Sequence, residues 1–109
     1  MSNKETKTAG RPSAEQLTEW KAQHKNLCEL TTEDGKVAIC RTPNIVDLEM
    51  ALDKSKKPNA KSLDFNRTIF ARCVLYQDEG LMDDDGRRLE ILTAAGQLGE
   101  IKEASVKKL

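Results

Sequence analysis

The sequence predicts an α+β fold: an N-terminal helix, one β-hairpin, then three helices, with the helix over residues 63–76 at the core. Three observations carry this expectation. Asp34-Gly35 separates two short apolar runs, a strong hairpin signal because Asp-Gly readily takes the positive φ angles of a tight turn. The stretch LDFNRTIFARCVLY, residues 63–76, holds three of the four aromatic side chains. On a helical wheel it collects Leu63, Phe65, Ile69, Phe70, Cys73, Val74 and Tyr76 on one half and Asp64, Arg67, Thr68 and Arg72 on the other. Finally, apolar residues recur at helical spacing after the acidic run Asp83-Asp84-Asp85. Burying one Phe or Leu contributes about 1.5–3 kcal/mol, so the face over 63–76 supplies much of the driving force.

Residues 1–12, charged and small, predict a flexible tail without the apolar stretch of a secretory signal, and residues 13–109 a single domain. Ser13 with Gln16 reads as a capping box opening a helix over 14–25, whose narrow stripe of Leu17, Trp20, Ala22 and His24 docks at one edge with Trp20 as anchor. Residues 27–32 and 37–42 form the hairpin. A two-residue loop at Asp34-Gly35 pairs Leu30 with Ile39 and Glu29 with Cys40, so Cys28 and Cys40 fall on opposite faces. Thr42-Pro43 opens a helix to about residue 54, with Ile45, Leu48 and Leu52 as its apolar side and Val46 and Met50 alongside. The lysine-rich segment 54–62 is a solvated loop, and Ser62 caps the next helix. A last helix over 86–109 carries Ile91, Ala94, Ala95, Leu98, Ile101, Ser105 and Leu109 on one stripe, with a hinge at Gly96 and Gly99.

Composition excludes several functions. At 109 residues and 33% charged, the chain has room for one modest core. Lysine plus arginine equals aspartate plus glutamate at 18 each, so no overall field draws in nucleic acid or an anionic membrane. No apolar run approaches the ~20 residues that span a bilayer. Three cysteines without CxxC spacing point to reduced thiols in the cytoplasm.

Candidate chemistry is thin. Placing Gly86 at the sixth position of a calcium loop puts Leu81 first and Leu92 twelfth, and neither is a ligand. His24, the only histidine, has Cys28 as its nearest thiol, a weak basis for a nucleophilic pair and too little for a zinc site. Lysines at the end of one helix and aspartates at the start of another complement helix dipoles, which accounts for both charge runs without a ligand. No cofactor, metal or catalytic residue is expected. Asn66 falls within the apolar arc, where an amide needs partners. It either bonds a neighbouring element or marks a face that a partner covers.

The order of parts resembles small phage and prophage proteins of the tail-assembly-chaperone type. The hairpin leading into Arg41-Thr42-Pro43, the helix opened by Phe65-Asn66 and running through Cys73, the loop Asp78-Glu79-Gly80 and the ending EASVKKL carry it. The resemblance implies a non-enzymatic assembly factor that binds apolar helical stretches of a tape-measure protein and self-associates. A partner surface is then expected on the last helix and the start of the core helix, at Ile91, Ala95, Leu98, Ile101, Asn66 and Phe65. A structural virion component and a small enzyme using His24 and Cys28 are the alternatives.

Overall fold

The computed structural model describes residues 11–24, 26–100 and 104–109. It is an α+β fold in the order α1 (Ala14–Gln23), β1 (Leu27–Thr31), β2 (Val37–Arg41), α2 (Ile45–Ser55), α3 (Asp64–Cys73), β3 (Val74–Gln77) and α4 (Asp85–Leu98). The strands form one antiparallel sheet, β1-β2-β3. Leu30, Ala38 and Cys40 meet Ile69, Phe70 and Cys73 of α3 and Ile91, Leu92 and Ala95 of α4 in the core. The tail expected over 1–12 falls mainly outside the described residues; Arg11 belongs to the fold, its Nη2 donating to Asp78 Oδ2 at 2.7 Å.

The core stretch divides differently from expectation. Instead of one helix over 63–76, α3 stops at Cys73 and the chain turns extended at Val74 to become β3. An apolar run as short as CVLY satisfies both periods locally. What decides is the free edge of β2, because an isolated hairpin is marginal and a third strand satisfies the central strand's backbone. Tyr76 pairs with Ile39 and Val74 with Cys40, leaving Leu75 as a bulge. The central strand is consequently buried on both faces, Val37 through Cys40.

The hairpin exists as expected, but one residue out of register. Thr32 N donates to Lys36 O at 2.9 Å, closing a three-residue loop in which Gly35 takes φ 89°. This is the turn followed by a left-handed residue that three-residue hairpin loops favour. Lys36 N also donates to Thr32 Oγ1, so the threonine selects the longer loop. Leu30 therefore faces Ala38 and Glu29 faces Ile39, and Cys28 lies directly opposite Cys40 on the same face. All three thiols are free. Burial pushes Cys40 up to about 12 and Cys73 up to about 11. We expect iodoacetamide at neutral pH to label Cys28 alone in the folded protein and all three thiols in denaturant, as read by mass spectrometry, because only a thiolate attacks.

The helix ends also moved. Asn44, not Thr42, caps α2, its side chain accepting from Asp47 N while Asp47 Oδ2 accepts from Asn44 N. Ser62 caps nothing; Leu63 holds that place, and Asp64 takes the Lys61 N–H. Ser13 caps α1, but Gln16 turns to Glu19 instead of closing a box. Trp20 and Leu17 are half-buried, and no residue of α1 is fully buried. α4 ends at Leu98 with Gly99 as its cap, so the helix expected to residue 109 is shorter, and residues 104–109 are non-helical and exposed.

Candidate functional site

The residues expected to meet a partner are largely engaged inside the molecule. Ile91 and Ala95 are buried in the core, and Phe65 and Leu98 are half-buried against it. Asn66 Nδ2 donates to Leu92 O at 2.8 Å, which is the internal solution for a half-buried amide. Gly96 lies under that amide and Gly99 against Phe65 and Ile69. These glycines allow close approach of α3 and α4, and helix α4 runs through Gly96 without a break. Ile101 lies outside the described residues. These residues therefore do not form an open apolar surface.

The arrangement begins at Asp47, which sequence reading passed over. Its carboxylate is wholly buried, yet Arg41 Nη1 reaches Oδ2 at 2.6 Å and Arg41 Nη2 reaches Oδ1 at 3.1 Å. Arg72 Nε adds a bond to Oδ1 at 2.7 Å, and Arg41 Nη2 also donates to Arg72 O at 2.7 Å. The Arg41 bonds hold the Asp47 carboxyl far below the usual carboxylate range against the pull of burial, helped by the Asn44 N–H and Arg72. Every lone pair is taken, so the group anchors and cannot shuttle protons. It ties the end of β2, the first turn of α2 and the end of α3 together. A second buried carboxylate, Asp78, accepts from Arg11, Val37 N and Tyr76 in the same anchoring manner.

This anchor sets how α2 is rotated. With Asp47 and Ala51 turned inward, the apolar side expected from Ile45, Leu48 and Leu52 is split. Leu48 packs on the core, while Ile45, Val46 and Met50 remain 69%, 50% and 47% exposed. Met50 forms one wall of a groove whose other wall is Thr68 and Ala71 of α3, rimmed by Lys54, Asp64, Arg67 and Arg72. The groove continues past Lys57, Asn59 and Lys61. Arg72 is committed to Asp47, and Arg67 bonds Asp64 at 3.1 Å, whereas Lys54 and Lys61 make no ion pair among the described residues. The groove thus combines apolar side chains with charges of both signs, of which Lys54 and Lys61 are left without an ion pair among the described residues.

His24 borders a depression with Gln23, Arg41, Thr42, Pro43 and Asn44, and Cys28 does not line it. Among the described residues no set of histidine, cysteine and acidic side chains is placed to hold a metal ion, and no helix is long and apolar enough to cross a membrane. Compared with known proteins, the chain matches no family model, no curated protein sequence and no solved structure.

Proposed function

We propose that this chain is a non-enzymatic protein-binding module that works in assembly, receiving an apolar helical segment of a partner on the outer side of α2 and the groove beside it. The observation that carries the reading is the exposure of Ile45, Val46 and Met50, three large apolar side chains left in solvent within two turns of α2, of which Met50 lines a groove shared with Lys54, Asp64 and Arg67. Scattered exposed apolar residues are ordinary, but a group rimmed by charge is the pattern of an interaction site. The partner class follows from the resemblance to tail-assembly chaperones: a tape-measure protein with long helices, met in the host cytoplasm. Among buried acids, Asp47 and Asp78 are saturated by hydrogen bonds, which favours binding over catalysis.

Co-expression with the product of an adjacent tape-measure gene tests it. The expected result is co-purification in mild salt that Met50→Asp and Val46→Asp abolish while the variants keep their circular dichroism and thermal transition. A partner that co-purifies equally with both variants removes the groove from the proposal, and one that never co-purifies removes the proposal.

A further inference from the structure

The observed hairpin register brings two thiols together. Backbone bonds fix the pairing at both ends of the ribbon: Thr32 N donates to Lys36 O at 2.9 Å and Thr42 N to Asn26 O at 3.3 Å. Bonded and non-bonded pairs alternate along an antiparallel ladder, so counting inward from either end makes Cys28 and Cys40 a bonded pair. The Cα atoms of such a pair lie about 5.5 Å apart, inside the ~4.4–6.8 Å that a disulfide spans. The Cβ atoms of opposite residues lie about 4.5–5.5 Å apart against about 3.8 Å across a disulfide, so a bridge needs the strands to close by roughly 1 Å. β1 can give that distance, because it is the outer strand, bonded on one side only, and Cys28 is its second residue.

The three thiols differ in access. Cys28 is half-buried, whereas Cys40 and Cys73 are wholly buried in the core. Cys73 Sγ donates to Asp47 Oδ2 at 3.8 Å, at the end of a helix that Arg72 ties to the same carboxylate. A reagent arriving from solvent therefore meets Cys28 first. Burial pushes the Cys40 thiol up to about 12, and Cys73 and Cys28 raise it further. Cys40 is thus a slow nucleophile whose advantage is position, since the sulfur it would attack is held beside it.

We propose that Cys28 and Cys40 form a reversible disulfide switch set by small-molecule disulfides such as glutathione disulfide, with Cys28 as the entry thiol and Cys40 as the resolving thiol. The Cys28 thiolate attacks one sulfur of glutathione disulfide, giving a mixed disulfide on Cys28 and one glutathione thiolate. Cys40 loses its proton, attacks Cys28 Sγ, breaks the mixed disulfide and releases the second glutathione. The protein dithiol is oxidised by two electrons, glutathione disulfide is reduced to two thiols, and the protons of the cysteines pass to them. Excess reduced glutathione runs both steps backwards. The bridge fastens the outer strand to the central one beside Arg41, at the end of the sheet where Asp47 is held. It is independent of what occupies the α2–α3 groove.

Mass spectrometry of the native chain incubated with glutathione disulfide near neutral pH tests the switch. One glutathionyl adduct on Cys28 is expected first, followed by a monomer lighter than the reduced chain by two hydrogens. Trypsin, which cuts at Lys36 between the two thiols, then yields the Cys28 and Cys40 peptides joined, while Cys73 takes iodoacetamide only after denaturation. Cys28→Ser should lose all reaction in the folded state. Cys40→Ala should stop at the adduct, its fold checked by the continued protection of Cys73. A wild-type chain that does not react, stops at the adduct, bridges Cys40 to Cys73 or links two molecules overturns the inference. So does a Cys28→Ser chain that still forms a disulfide.

Discussion

Replacing Asp47 with Asn is expected to destabilise the fold by about 3 kcal/mol, the scale of breaking a buried ion pair from one side. The substitution keeps the shape and the cap of α2 but removes the charge that two guanidinium groups face. Arg41 is left mostly buried without a counter-charge, which costs more than the lost bonds themselves. Domains of this size have about 5–15 kcal/mol in hand, so the drop should lower the thermal midpoint by roughly 15 °C and the urea midpoint at unchanged slope. The pH dependence has a definite sign. The folded carboxyl is held below its unfolded value, so its stabilisation is present above the unfolded value near 3.9 and is lost as pH falls through the folded one. The gap between wild type and Asp47→Asn should be constant from pH 5 to 7 and narrow below about pH 4. An equal gap at pH 2.5 and pH 7 would show that Asp47 acts through shape and not charge.

Gly96→Ala is expected to destabilise by up to about 2 kcal/mol although alanine is the better helix former. A Cβ there would collide with Asn66 Nδ2 and come within 2.9 Å of its Cγ. The amide cannot swing away without giving up its bond to Leu92 O. Overpacking costs about 1–3 kcal/mol, opposed by the ~1 kcal/mol gained on replacing glycine within a helix. In an Asn66→Ala background the obstacle is gone, and the same change should be neutral or stabilising by up to ~1 kcal/mol. The double-mutant cycle thus predicts coupling of about 2 kcal/mol, measured by urea denaturation. Additive effects would mean that the close approach of α3 and α4 does not depend on this pair.

That pair shows where the sequence was readable and where it was not. Asn66 was visible as an amide in an apolar arc and Gly96 as a misplaced glycine in a helix, but their contact joins residues thirty positions apart, which no local pattern reports. Asp47 gave less warning still. Its neighbours at helical spacing are apolar, and a lone acid there reads as an exposed interruption until Arg41 and Arg72 are brought to it from a strand and another helix. The residues nominated for a partner came from the most regular apolar stripe. In a small domain that stripe is what the core takes first, so Ile91 and Ala95 were buried, and the apolar side chains left in solvent were those of α2.

Taken alone, the sequence determined the class and most of the elements: the hairpin from Asp-Gly, the helices from their periods, the cap at Ser13, because each depends on conformational preferences within a few residues. Tertiary structure alone decided that residues 74–77 are a strand and that α2 turns its aspartate inward and leaves Val46 and Met50 outside. The physical reason is common to the last strand and the buried aspartate. Each satisfies a backbone edge or a charge that has no partner nearby in the chain, and the competing local conformations differ by less than that satisfaction is worth.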